Sequence, residues 1–269
     1  MRLIYTETSR DDEDLLQNQR LVGDSRIMPE SDVEKLAELY RRRDGAKGTK
    51  IVRMIESITT TRHILIINYE ELTTANDLFM KNWSLVEPKN KEELNKFLIE
   101  YIRHLYNYIA SFCSLLDHID AFHGDADDPQ FDKDYHRKFE HLKNNGRVKF
   151  IMDLRNYQIH RQLPIVGVEL SYMMTPEGIK IGEIAGITKG ELSLNKENLL
   201  EWDGWTAPSK KYLKGCRRYV YLRELINDCQ HIILEFYEWF SDRIKKLYQV
   251  ELKIYFEIQS EIMRLERMS

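Results

Sequence analysis

Between Lys91 and Phe122 the chain sets Leu94, Phe97, Leu98, Tyr101, Ile102, Leu105, Tyr108, Ile109, Phe112, Leu115, Leu116, Ile119 and Phe122 three or four residues apart. That spacing lines one side of an α-helix, because 3.6 residues per turn bring positions i, i+3, i+4 and i+7 to the same face. Gly124 is a natural stop. A helix of this length with so wide an apolar face needs other helices to cover it, and the rest of the chain supplies candidates.

Ser31, followed by Glu34 three residues on, predicts a helix start, and Val33, Leu36, Ala37, Leu39 and Tyr40 keep the period as far as the basic Arg41-Arg42-Arg43. After Gly45 and Gly48 a second helical region runs through Ile51, Met54, Ile55 and Ile58 to a stop near Trp83 or Pro88. A further stretch covers Asp132 to Leu163, broken or kinked at Asn144-Asn145-Gly146. Beyond Pro164 the period changes to two. Val166, Val168, Leu170 and Tyr172 alternate, Thr175-Pro176-Glu177-Gly178 has turn chemistry, and Ile179 and Ile181 resume the alternation, which predicts a β-hairpin inserted at about 165–200. The loop Glu201-Trp202-Asp203-Gly204-Trp205-Thr206 leads to a last helical period expected from Tyr219 through Leu222, Ile226, Ile233, Phe236, Phe240 and Ile244. The first 29 residues, centred on Arg10-Asp11-Asp12-Glu13-Asp14, keep no period and read as an arm. The fold class is mainly α.

With 12 Gly and 6 Pro among 269 residues, extended disorder is not expected. The formal net charge of -4 removes the global basic excess that by itself announces nucleic-acid binding, so an RNA or DNA ligand would need a local basic site. Cys113, Cys216 and Cys229 lack the close pairing of a zinc finger or a disulfide framework. The N-terminus turns polar too soon for a signal peptide, and no apolar run suits a bilayer, so a cytoplasmic protein without membrane contact is expected.

The segment Asp153-Leu154-Arg155-Asn156-Tyr157-Gln158-Ile159-His160-Arg161-Gln162-Leu163-Pro164 sets an arginine and a histidine on an otherwise oily helix. A guanidinium can hold a phosphate through paired hydrogen bonds, and an imidazole exchanges protons near neutral pH. On a helical wheel Arg155 falls within the stripe of Val148, Ile151, Met152, Ile159 and Leu163, where it needs an anionic or polar partner. Lys149, Asp153, Asn156 and His160 form a narrow polar sector, and Phe150, Leu154 and Tyr157 cover much of the opposite side. Arg155 and His160 stand about 140° apart around the axis, so one unbroken helix does not aim both at one ligand. Two copies of the helix would.

The motif Arg155, polar Asn156 and His160 resembles that of the HEPN superfamily, helical domains named for higher eukaryotes and prokaryotes. The likeness covers about 91–163 and extends to the last helices. It is similar also to bacterial proteins carrying the Leu-Arg-Asn-Tyr, His and Leu-Pro pattern near a Trp-Asp-Gly-Trp loop. The resemblance implies a HEPN-like bundle over 30–269, with its core at 91–163 and 207–269, and a homodimer in which the two motif helices meet. It implies a metal-independent endoribonuclease without a cofactor, in a toxin or antiviral defence setting with a possible antitoxin partner. Arg155 and His160 would be catalytic, Asn156 supporting, and Lys149 and Arg161 would bind the RNA backbone. Gln162 stands where some members carry a tyrosine whose modification silences them, which puts that control in doubt here. Two other readings stay open: a non-catalytic helical interaction protein, with Arg155 in an interface ion pair, and a metal-dependent phosphohydrolase. The latter would use hard ligands among Asp117, Asp120, His123 and Asp125, although their spacing matches no metal motif and reads first as a solvated acidic loop. His136 and His141 are expected to be surface histidines.

Overall fold

A computed structural model describes residues 29–126, 128–172 and 187–268 of the chain. It is mainly α-helical with one small antiparallel sheet. Among the described residues no helix is long and apolar enough to cross a membrane. The described residues fall into two compact units, 29–49 with 250–268, and those between Lys50 and Gln249.

In the first unit α1 (Glu30–Gly45) buries Leu39 against Ile258, Ile262 and Leu265 of α9 (Gln249–Glu266), with Leu36 and Tyr40 alongside. Helix α1 starts at Glu30 with Pro29 as its cap and no side-chain cap bond, so Ser31 lies inside the first turn instead of capping it. The Pro29 carbonyl accepts the first intrahelical bond, from the Val33 amide, and also takes the Asp32 amide that a capping hydroxyl would otherwise receive. Gly48, at the start of α2 (Lys47–Lys81), is required by close approach: a Cβ there would stand 2.5 Å from the Glu251 carbonyl oxygen.

The second unit is organised by the long helix read first in the sequence, α3 (Lys91–Gly124). Two short 3₁₀ turns, Trp83–Val86 and Pro88–Asn90, fold it back on α2. Phe79 stacks on Phe97, His104 meets Glu71 at 3.2 Å and Thr61 bonds His118 at 2.7 Å, so partners ascend one helix as they descend the other and the pair is antiparallel. Helix α8 (Leu222–Leu247) closes the group. The Tyr108 hydroxyl donates to the Ile226 carbonyl and Phe122 meets Phe240 edge-on, contacts that advance together, so α3 and α8 run parallel.

The chain between these two parallel helices carries everything else. Helix α4 (Pro129–Asn144) packs Tyr135 and Phe139 against Phe240 and Phe236 and runs antiparallel to α8. Asp128 caps it by accepting the Phe131 amide. The predicted break at Asn144-Asn145-Gly146 is a true helix end: the Asn145 side chain accepts the Arg147 and Val148 amides at 3.0 and 3.3 Å and starts α5 (Gly146–His160). A Cβ on Gly146 would lie 3.0 Å from Tyr212 Cβ and 3.3 Å from the Pro208 carbonyl oxygen, so the glycine lets α7 (Ala207–Gly215) approach the start of α5.

The sheet has strand order β1, β2, β3, all antiparallel: β1 (Val166–Tyr172), β2 (Ile187–Asn195) and β3 (Tyr219–Tyr221). Val166 pairs with Leu194 and Leu194 with Val220, a row buried from edge to edge. The alternation expected from Val166 to Tyr172 is strand β1, whereas the turn at Thr175–Gly178 and the return through Ile179 and Ile181 lie outside the described residues, as does the N-terminal arm to residue 28. The helical period expected from Tyr219 begins instead at Leu222. Tyr219 to Tyr221 are aromatic and β-branched residues that pair with Ser193 to Asn195, and this edge pairing claims the first residues of the apparent helical repeat. Between β2 and α7 lies a single short turn of helix, α6 (Lys196–Leu200).

Because Asn145 satisfies two amides that α5 cannot satisfy itself, Asn145→Ala is expected to cost about 1 kcal/mol, and Asn145→Asp much less. Urea unfolding of the three proteins checks it.

Candidate functional site

Helix α5 is buried on most sides. Val148, Phe150, Ile151 and Leu154 are fully enclosed and Tyr157 nearly so, as expected of a helix apolar nearly all round. Arg161 leaves the helix, and Pro164 follows where no further helical hydrogen bond could form.

Arg155 reaches α3. Its guanidinium lies 3.3 Å from Asp117 Oδ2, with the two side chains 41% and 64% exposed. An ion pair so wet contributes about 0–1 kcal/mol, so it orients Arg155 at the surface and leaves it exchangeable for another anion. Asn156 and His160, four residues apart, are both exposed and have no side-chain partner among the described residues. Arg161 is exposed beside them. Ile159, Leu163 and Ile165 are 55%, 53% and 66% exposed, so part of the oily stripe that contains Arg155 opens to solvent next to His160.

The polar sector divides in two. Asn156 and His160 face out, but Asp153 is only 2% exposed. Its Oδ2 accepts the Thr206 amide at 3.0 Å and the Thr206 and Ser209 hydroxyls at 2.6 and 2.7 Å, while Lys149 Nζ lies 3.1 Å from Oδ1. Thr206 occupies the cap position of α7; its hydroxyl donates to Asp153 and makes no cap bond to its own helix. A carboxylate at a helix N-terminus is favoured by the backbone amides gathered there. Burial opposes ionisation of Asp153, but the Thr206 and Ser209 donors outweigh it and hold the carboxyl below the usual aspartate range. Lys149, expected to hold RNA backbone, is therefore engaged by Asp153.

Beside this network lies an aromatic stack. Phe150 and Tyr157 each stack on Trp205, whose indole donates to the Leu199 carbonyl at 2.6 Å, and Trp202 stands edge-on to both Tyr157 and Trp205. A Cβ on Gly204 would sit 2.2 Å from the Trp202 ring, so any side chain there would displace that indole. Gln162 donates to the Tyr157 hydroxyl at 2.9 Å. In the sequence this loop stands as the lead-in to the last helix and as part of the pattern shared with bacterial proteins, and its tie to Asp153 has no local mark. The signal that would have found the network is the argument applied to Arg155: an acid on an oily helix also needs partners, and Thr206-Ala207-Pro208-Ser209 is a helix start rich in donors.

The acidic and histidine candidates on α3 separate. Asp117 faces Arg155, Asp120 accepts the Tyr135 hydroxyl at 2.9 Å, and Asp125 pairs with Lys50 at 3.0 Å. His123 instead lies against Asp132 and His136 of α4. A cleft of about 650 Å³ opens at the other end of α5, lined by Arg147, Lys211, Arg217, Tyr212 and Glu224 among others, and none of the motif residues borders it. Burial pushes the Cys113 thiol up to about 12, raises Cys229 further, and also raises the half-buried Cys216 at the cleft. Comparison of the chain with protein-family models, with curated proteins and with solved structures finds no match.

Removing the buried carboxylate strands Lys149 and three donors, so Asp153→Ala is expected to lower stability by about 3–5 kcal/mol. Since the folded-state pKa is depressed, the contribution is complete above the unfolded value of about 3.9 and disappears as pH falls through the folded value. Denaturant titrations should show the gap between wild type and Asp153→Asn constant from neutrality to about pH 5 and closing below about pH 4.

Proposed function

We propose that the chain is a metal-independent endoribonuclease of HEPN type that works as a homodimer, a toxin or defence effector acting on single-stranded or loop RNA. The observation that carries this reading is the outward pair Asn156 and His160 at the end of α5, bordered by the exposed Ile159, Leu163 and Ile165. A second α5 laid across these residues around a two-fold axis would cover the apolar side chains and bring a second His160 to the first. It would also resolve the angular mismatch between Arg155 and His160 within one helix.

The chemistry uses no other group. The RNA 2'-hydroxyl attacks the neighbouring phosphorus, one His160 takes its proton, and the P–O5' bond breaks as the other His160 protonates the leaving oxygen. The products are a 2',3'-cyclic phosphate and a free 5'-hydroxyl. Arg155, exchanging its weak pairing with Asp117 for a phosphoryl oxygen, stabilises the added negative charge. Asn156 orients His160 or binds a second oxygen, and Arg161 holds the flanking backbone. The exposed apolar residues would equally serve a non-catalytic interaction protein, and activity divides the two.

In chelator, the purified protein is expected to nick RNA and leave cyclic phosphate ends, with His160→Ala reduced about 100-fold or more. Equal cleavage by both proteins would refute the assignment. Sedimentation should show a dimer that Ile159→Asp converts to monomer with loss of cleavage; a monomeric wild type would remove the shared site.

A further inference from the structure

We propose that His123, Asp132 and His136 form a binding site for one divalent transition-metal ion, of the class to which Zn²⁺ belongs. His123 closes the last turn of α3, while Asp132 and His136 lie one helical turn apart near the start of α4, so the i, i+4 spacing puts both on one face towards His123. Their three ligand atoms lie within 4.8 Å of one another. His123 Nε2 is 3.0 Å from Asp132 Oδ1, and His136 Nε2 is 3.3 Å from the same oxygen. Zinc bonds to imidazole nitrogen and carboxylate oxygen of ~2.0–2.1 Å put neighbouring ligand atoms roughly 2.9–3.4 Å apart in tetrahedral or octahedral arrangements. Both separations fall in that interval.

A second observation separates this cluster from an ordinary histidine–aspartate pair. His123 is 8% exposed, and its enclosed Nε2 lies 3.0 Å from an Asp132 carboxylate oxygen, within ion-pair range but outside good hydrogen-bond geometry. Distance is not the obstacle; direction is. Ligands of one ion point at the ion and not at each other, so each stands roughly 40° off the lone-pair axis of its neighbour, which bends the contact beyond a good hydrogen bond. A buried nitrogen without a well-directed hydrogen bond is destabilising, and an ion held by the three ligands would satisfy it.

The environment suits a metal site. The His123 ring is stacked on Tyr135 at 3.7 Å between centroids, and the Tyr135 hydroxyl donates to Asp120, so the buried ligand is held in orientation from behind. Two imidazoles and one carboxylate select a borderline ion such as Zn²⁺ over Mg²⁺ or Ca²⁺, which take oxygen ligands. Asp132 and His136 are exposed, leaving the remaining coordination positions to solvent. The ion would fasten the end of α3 to the beginning of α4 across the loop that joins them. The site is independent of the ribonuclease reading, since it uses none of Arg155, Asn156 and His160.

The test is calorimetric titration of Zn²⁺ into the untagged, chelator-stripped chain at neutral pH, with thermal unfolding measured with and without the ion. One ion per chain and a higher melting temperature are expected. Asp132→Asn and His136→Ala change exposed side chains and leave the core intact; each should weaken binding by at least the roughly tenfold typical of losing even an outer-shell partner. His141→Ala, an exposed histidine on the same helix, should bind as wild type does. The proposal is overturned if the stripped wild type takes up no stoichiometric zinc, or if either Asp132→Asn or His136→Ala keeps wild-type affinity.

Discussion

Asp153 is buried in the middle of an oily helix, and an ion there is tolerable only because donors from two directions meet it. Lys149 comes from the preceding turn of α5, and the Thr206 amide and the Thr206 and Ser209 hydroxyls come from the start of α7. Four other arrangements depend on that meeting. It fixes the rotation of α5 about its axis, brings α7 against Gly146, sets Phe150 and Tyr157 on Trp205, and leaves Asn156 and His160 on the outside. Apolar packing would bury α5 in several rotations of similar energy, whereas a buried carboxylate accepts only the one that supplies its donors.

The sector that faces solvent therefore follows from what faces inward. Arg155 lies between the two regimes: close enough to α3 to be paired by Asp117, wet enough for the pairing to be weak. His160 lies at the helix end, where the chain turns away towards Pro164 and Ile159, Leu163 and Ile165 are left exposed among the described residues. The arrangement separates a rigid inner half, held by hydrogen bonds and stacked rings, from an outer half whose groups are available to a ligand or a second chain.

The long helices were legible because repetition over many turns leaves little ambiguity: α3 ends at the glycine that marks its stop, and Asn145 performs the capping its position suggests. What could not be read is of another kind. Asp153 has the period of a solvent-facing residue and is buried because of a loop some fifty residues later in the chain. Tyr219 to Tyr221 continue a helical repeat but pair with β2, a choice decided by a strand edge that no local pattern announces. His136 reads as a surface histidine and is one by exposure, yet the fold carries it to His123 on the preceding helix. In each case the deciding partner is distant in sequence and its identity carries no periodic signal.

The parallel course of α3 and α8 has a kinetic side. Antiparallel α2 and α3 are joined by two short turns, so their pairing requires only a brief search. Two parallel helices cannot be joined by a short turn, and the ~100 residues between them must be gathered before Phe122 can meet Phe240, although the entropy of closing so long a loop exceeds that of a short one by only a few kcal/mol. Contacts remote in sequence form slowly. The hairpin of α2 and α3 is thus the part of the unit able to form early in synthesis, while α5, which packs on α3 and α4 before it and on α7 and α8 after it, keeps part of its apolar surface uncovered until the later helices have been made.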